Sequence, residues 1–189
     1  MGLRIGIDCD SVLRDFIPDL VSHIKKDYPK YKNLIKEAND WEWESWLPFW
    51  TEEQTEGYVF TRKYYELFGP DASAIQSSVE DWPKLKEWAE ENGHELVLVS
   101  AQREHCMKPT DEWLEKHGFD FKEKHYTQDK WAVDVDILID DSPSKLKKFN
   151  ERSVNYGKAI CYKQPWNKQC QSSSMSIDRL SDIIGKVFG

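Results

Sequence analysis

No apolar run in the chain approaches the roughly 18–20 residues that a bilayer crossing needs, and its start carries no signal-peptide pattern. Both absences point away from a membrane partner and toward a cytoplasmic location. Cysteine is scarce: Cys9, Cys106, Cys161 and Cys170 form no Cys-x-x-Cys pair, so they read as reduced thiols rather than zinc ligands or a disulfide framework. Positive charge is also short, with 26 Lys and Arg against 34 Asp and Glu for a net −8, which argues against a broad footprint on duplex nucleic acid. A small anionic substrate remains compatible, because a metal and one lysine reverse the sign of a pocket locally. There is no internal repeat. What is present, 189 residues with 39% hydrophobic and 32% charged side chains, suits one globular domain carrying an insertion.

The chain is organised around Leu3-Arg4-Ile5-Gly6-Ile7-Asp8-Cys9-Asp10-Ser11-Val12-Leu13. The apolar run reads as a buried strand that stops at Asp8, and a second acid follows at Asp10. Two acids at the end of a buried strand repel each other and are costly to desolvate, so a cation there would explain them. The plain alternative is a solvated turn.

Residues 14–37 have helical spacing, with Phe16, Leu20, Val21 and Ile24 on one side. Residues 41–50 hold Trp41, Trp43, Trp46 and Trp50, and a further helix over 51–68 ends at Gly69-Pro70. Residues 71–78 read as a connection, so 16–78 is a helical insertion without a strand. Beyond it, strands and helices alternate. A helix over 81–92 has Asp81 as its N-cap, a strand covers 95–100, and a helix over 109–117 closes at Gly118. Strands follow at 121–126, around Ile137-Leu138-Ile139 and at 157–162, with a helix over 143–150 between the last two. Residues 163–174 read as a polar loop and 176–187 as a last helix. Such alternation implies an α/β domain with a parallel sheet covered on both faces.

Three apolar strands end in polar residues: Asp8 and Asp10, Ser100, and Asp140-Asp141. Ligands of open parallel sheets bind outside the carboxyl ends of the strands, so adjacency of these three would gather those side chains in one site.

This arrangement resembles the haloacid dehalogenase-like (HAD) phosphohydrolase superfamily. The strand-Asp-x-Asp-x-Val-Leu motif is Asp8 to Leu13, the second motif is Ser100, the third is a lysine and the fourth is Asp140-Asp141. Within the superfamily, Asp8 to Phe16 and Tyr126 to Asp141 are similar to the 5′(3′)-deoxyribonucleotidases. Two departures stand beside the phosphate: Ser11, where those enzymes usually carry Gly, and Ala101-Gln102, where they tend to carry Ser-Pro.

The resemblance implies a Rossmann-like core over 1–15 and 79–189 and a small helical cap over 16–78. It implies a Mg²⁺-dependent phosphomonoester hydrolase working through an aspartyl-phosphate, with nucleoside monophosphates as substrates. Asp8 would be the nucleophile and Asp10 the acid and base. Ser100 and the following Ala101 would bind phosphoryl oxygens, and Lys130 would neutralise charge, with Lys108 and Lys124 as weaker candidates. The metal would be held by the Asp8 carboxylate, the Asp10 backbone carbonyl and Asp141, with Asp140 behind them. Phe16 falls on a position that packs against the base, and Trp43 and Tyr65 are further stacking candidates, although most insertion aromatics are needed as that segment's own core. The loop Gln164-Pro165-Trp166-Asn167 reads as structural. Alternatives are another small phosphomonoester, a nucleic-acid 3′-phosphate end, a phosphotransferase, or a non-catalytic nucleotide-binding module.

Overall fold

A computed structural model describes residues 2–154, 157–171 and 175–186. Strand β1 (Arg4–Ile7) lies at the centre of a six-stranded parallel sheet. It leads into α1 (Phe16–Asp27), which stops where Tyr28 precedes Pro29, since a residue before proline is pushed out of the helical region. The expected helix over 14–37 is therefore shorter. Three short helices follow: α2 (Trp43–Trp46), α3 (Glu52–Gly57) and α4 (Tyr64–Phe68). Thr51 and Gln54 form a reciprocal capping box at the start of α3, and a π-helical turn, Tyr58–Arg62, separates α3 from α4.

The remaining elements are α5 (Gln76–Glu91), β2 (Glu95–Ser100), α6 (Glu104–His117), β3 (Glu123–Tyr126), β4 (Ile137–Asp140), α7 (Pro143–Arg152) and β5 (Lys158–Tyr162). Then come α8 (Lys168–Gln171), β6 (Met175–Ile177) and α9 (Ile183–Lys186). Strand order is β3-β2-β1-β4-β5-β6. Order therefore reverses between β1 and β4, the crevice where such sheets bind ligands. Gly118, at φ +77°, closes α6 as expected.

Alternation along the strands fills two layers. Ile5, Ile7, Leu98, Ile137 and Ile139 face Trp82 and Leu85 of α5 and Trp113 of α6. Val97, Val99 and Leu138 face Leu146 and Phe149 of α7. The segment between β1 and β2 has its own apolar centre of Phe16, Leu20, Ile24, Trp46, Leu47, Tyr58, Val59, Leu67 and Phe68, which Cys106 of α6 joins. Among the described residues no helix is long and apolar enough to cross a membrane.

Several element readings need correction. Helix α5 begins five residues before Asp81, so Asp81 is not its N-cap; its carboxylate accepts from Arg179 Nη2 at 2.7 Å and Ser181 N at 3.1 Å. Helical residues include Ser78, read as connection, whose hydroxyl is satisfied by donating to the Val12 carbonyl at 2.7 Å. Helix α6 starts before Pro109, which sits inside it and removes only the bond that would reach His105. The segment read as a polar loop contains a 3₁₀ turn, Pro165–Asn167, and α8. The last helix is replaced by β6, a turn and α9. Ile177, Leu180 and Ile183 are spaced for a helix face, but pairing Met175–Ile177 with the open edge of β5 satisfies backbone groups while burying the same three residues. Val187, at the end of that expected helix, lies outside the described residues.

Candidate active site

Strand pairing fixes the site before any side chain is considered. Ile7 of β1 pairs with Ile139 of β4 and Leu98 of β2, and the Asp8 N–H donates to the Ile139 carbonyl at 2.9 Å. The residues that follow these strands must emerge together. Asp8, Asp140 and Asp141 are all buried, and each offers a carboxylate oxygen within 4.8 Å of the others. Lys130, 2% exposed, lies between two of them, with Nζ 2.8 Å from Asp8 Oδ1 and 2.6 Å from Asp140 Oδ2.

Each acid is held by further donors. Cys9 N–H donates to Asp8 Oδ1 at 2.8 Å, and Ser142 N–H to Asp140 Oδ1 at 2.7 Å. Trp166 Nε1–H donates to Asp141 Oδ2 at 2.7 Å, while Asn167 Nδ2 donates to the Asp141 and Tyr162 carbonyls, each at 2.8 Å. The loop expected to be structural therefore reaches the acids, and its place after β5, at the carboxyl edge of the sheet, is the signal for it.

Three buried carboxylates facing one ammonium leave the cluster short of positive charge. Burial pushes the Asp8 carboxyl up to about 7, against the pull of Lys130, and Asp140 and Asp10 add to the rise. Asp141 is raised well above the carboxylate range by burial, then by Asp140 and Asp8. Burial works against the charge of Lys130, but Asp140 and Asp8 outweigh it and keep the ammonium protonated.

Asp10 is held apart from this cluster. Its Oδ1 accepts from Arg14 Nη1 at 2.7 Å and its Oδ2 from Gln102 Nε2. Gln102 belongs to a departure that the sequence places beside the phosphate, whereas Arg14, four residues after Asp10 in an apolar stretch, is not among the expected site residues. Ser11, directly after Asp10, sits at φ +63°, a conformation that favours glycine. Ser11 N–H donates to the Arg14 carbonyl at 2.8 Å, and its own carbonyl accepts from Gln164 Nε2 at 2.8 Å. The backbone explains why a glycine suits this position.

Above the acids opens a cleft of about 310 Å³. Asp8, Asp10, Lys130 and Asp141 form its floor, with Ala101 and Gln102 after β2 at one side. Phe16, Trp41, Trp43, Trp46, Phe60 and Phe68 supply an aromatic wall. Phe16 stacks on Phe68 at 5.5 Å and meets Trp43 edge-on at 6.2 Å. Ser100 is fully buried at the end of β2, and its hydroxyl has no partner among the described residues. Lys145, unforeseen, also lines the cleft and donates to the Gln128 carbonyl at 2.8 Å.

Tyr65 is not brought to the cleft. Its ring is half exposed and its hydroxyl donates to Glu112 at 3.2 Å, because α4 turns Leu67 and Phe68 inward and Tyr65 outward. The weaker lysine candidates also lie elsewhere, Lys108 beside Glu112 and Lys124 beside Asp111.

The family model of the 5′ nucleotidase, deoxy (pyrimidine), cytosolic type C proteins matches residues 2–184. The chain belongs to this family. It is therefore a phosphatase, and its nucleotidase kinship rests on nearly the whole chain. No curated protein sequence matches it. Among solved structures, a haloacid dehalogenase-like hydrolase from Streptococcus pneumoniae aligns at TM-score 0.63 and 15% identity, covering 100% of this chain and 99% of its own. A protein from Haemophilus somnus 129PT, described as a predicted phosphoglycolate phosphatase, aligns at TM-score 0.61 and 14% identity, with 98% of each chain covered. The HAD protein YfnB of Bacillus subtilis, solved bound to magnesium, aligns at TM-score 0.61 and 11% identity over 100% of both chains. At such identities these likenesses establish the HAD fold, which this member of the cytosolic type C nucleotidase family shares.

Proposed function

We propose that this family member is a cytoplasmic, Mg²⁺-dependent phosphomonoesterase that acts on nucleoside monophosphates through an aspartyl-phosphate. The observation that carries this reading is a buried carboxylate, Asp8, paired with Lys130 at the floor of an aromatic-walled cleft.

A divalent cation fits the donor set. Asp8, Asp140 and Asp141 are hard oxygen donors, buried together with a single lysine to balance them. Asp8, the Asp10 carbonyl and Asp141 would hold Mg²⁺, with Asp140 kept on Lys130 and Ser142 behind them. When bound, the ion neutralises charge between the nucleophile and a phosphate dianion.

The chain's own groups supply the rest. Asp8 Oδ1 is engaged by Lys130 and Cys9, which fixes the carboxylate at the floor of the cleft as the nucleophile. As the carboxylate O–P bond forms, the ester P–O bond breaks and Asp10 gives the leaving oxygen its proton. Asp10 then takes a proton from the water that attacks phosphorus, releasing phosphate and restoring Asp8. The unpartnered Ser100 hydroxyl and the N–H groups of the following turn receive phosphoryl oxygens, and Lys130 offsets their charge.

Residues 16–78 act as a cap over a core of 1–15 and 79–189, excluding water from the reaction. Phe16 and Trp43 line the cleft and form the stacking wall for a base, a contact worth about 1–3 kcal/mol. Four cysteines, all free and buried, accord with a reducing compartment. Phosphate release from nucleoside 5′- and 3′-monophosphates, sugar phosphates and a 3′-phosphorylated oligonucleotide, with Mg²⁺ and with chelator, tests the reading. Nucleoside monophosphates should be turned over at least about tenfold faster than sugar phosphates, the value of one stacked base, and only with Mg²⁺. A preference for sugar phosphates or oligonucleotide ends would overturn the substrate, and undiminished turnover in chelator would overturn the metal.

A further inference from the structure

Arg14 has no part in the chemistry above, yet it is a charge placed wholly out of water. The side chain is completely buried, and taking a guanidinium out of water costs several kcal/mol unless partners replace its hydration. Nη1 reaches Asp10 Oδ1 at 2.7 Å. Nη2 donates to the Phe68 carbonyl at 3.1 Å and to Thr110 Oγ1 at 3.2 Å. The guanidinium lies 4.7 Å from the Trp113 ring centre and 5.3 Å from that of Phe68. Its Nε has no partner among the described residues. An apolar residue would fill this space without leaving an orphan donor, so stability alone does not account for an arginine at this position.

The partners belong to three different parts of the fold. Asp10 sits in the turn after β1, Thr110 and Trp113 on α6, and Phe68 at the end of α4, where its ring also lines the cleft. With Gln102 on Oδ2, both oxygens of Asp10 are fixed, and the planar fork of Arg14 transmits the position of α4 to one of them. We propose that Arg14 is a positioning residue that orients the Asp10 carboxylate toward the leaving oxygen and ties that orientation to helix α4 and Phe68. The proposal rests on Asp10 being the acid and base, and the test separates the two.

A proton donor matters for an alkoxide leaving group and little for a nitrophenolate, whereas general loss of folding or binding affects both esters alike. In the full-length protein with Mg²⁺, kcat/KM is measured on a nucleoside 5′-monophosphate and on p-nitrophenyl phosphate for Arg14→Met, Arg14→Lys and Asp10→Asn. Circular dichroism follows the fold, and inhibition by inorganic phosphate follows the floor of the site. Arg14→Met should lower kcat/KM on the nucleotide by about 100-fold, the size of a displaced general acid, and on the aryl ester less than tenfold. Phosphate inhibition should stay within twofold. Arg14→Lys keeps the charge without the fork and should recover part of the nucleotide rate. If Arg14→Met does not fold, Arg14→Lys decides, with a selective loss on the nucleotide of about tenfold expected. Equal losses on both esters, or none, in the folded Arg14 variants would overturn the proposal. Should Asp10→Asn shift the ratio while the Arg14 variants leave it unchanged, Asp10 keeps its role and Arg14 is no positioning residue. An unchanged ratio in Asp10→Asn would overturn both.

Discussion

At the scale of single residues the site is a balance between desolvation and pairing. A nucleophilic carboxylate has to be ionised to attack, and Lys130 on one oxygen of Asp8 favours that form, while burial and the neighbouring acids push its carboxyl up to about 7. An acid whose folded pKa lies above its unfolded value, near 3.9, costs stability as pH rises between the two values and beyond. Asp8→Asn removes both the nucleophile and that cost. Turnover should fall at least about 10³-fold, while the metal-free variant at pH 7.5 melts no lower than the parent by calorimetry. A variant that melts several degrees lower would mean that Asp8 is held for stability, and residual turnover near the parent's would rule out the covalent route. Asp8, Asp140, Asp141 and Lys130 were legible because carboxylates at strand ends are conspicuous. Arg14 and Trp166 were not, since their significance comes from what they touch, and Gln102 was legible only as a departure beside the phosphate, not as a partner of Asp10. Ser11 lay between: its departure from glycine was visible, but only the backbone at φ +63° gives it meaning.

Elements were legible where burial on both faces writes a long apolar run, as in β1, β2 and β4, and less so where tertiary contacts set the boundary. Asp81 illustrates the second case. Its sequence context, before Trp82-Pro83, fits a helix start, yet α5 already has a full turn before it and the carboxylate serves another element. Burial alone pushes the Asp81 carboxyl up, but the Arg179 guanidinium and the Ser181 N–H outweigh it and hold it below the usual range. Those bonds fasten the turn Leu180–Asp182, and through it β6 and α9, onto α5. The edge strand and the final short helix therefore depend on a contact 98 residues away in the chain, which periodicity does not encode. Because the folded pKa is depressed, this stabilisation is complete above the unfolded value near 3.9 and is lost as pH falls through the lower folded value. Asp81→Asn should destabilise by about 1–2 kcal/mol at pH 6–7, the worth of a hydrogen bond to a charged acceptor. Urea titrations should find that difference shrinking below about pH 4. A difference that is the same at pH 3.5 and pH 7 would show that the charge is not what holds the turn.

Across the whole molecule, the reversal of strand order between β1 and β4 decides where everything else meets. It opens a crevice at the carboxyl edge, and aromatic residues of the helical segment, which has its own apolar centre, line the cleft there. The same reversal gathers like charges. Asp8 follows one central strand, Asp140 ends the other and Asp141 follows it, so three like charges meet at the middle of the sheet that carries both packed layers. A cation bound by Asp8 and Asp141 would turn that repulsion into a tie between β1 and β4, and its binding energy would appear as stability of the entire fold. At a free Mg²⁺ concentration 100 times the dissociation constant, linkage gives about 2.7 kcal/mol. For a chain of this size that raises Tm by about 5–11 °C. Asp141→Asn keeps an oxygen donor but removes the charge, so its metal-free Tm should equal or exceed the parent's and its rise with Mg²⁺ should drop below about 2 °C. The comparison needs no turnover, only calorimetry with chelator and then with added Mg²⁺. An identical rise in the Asp141→Asn variant would place the cation elsewhere on this acidic chain, and no rise in the parent at millimolar Mg²⁺ would mean that the three carboxylates are neutralised by protons and Lys130 rather than by a metal.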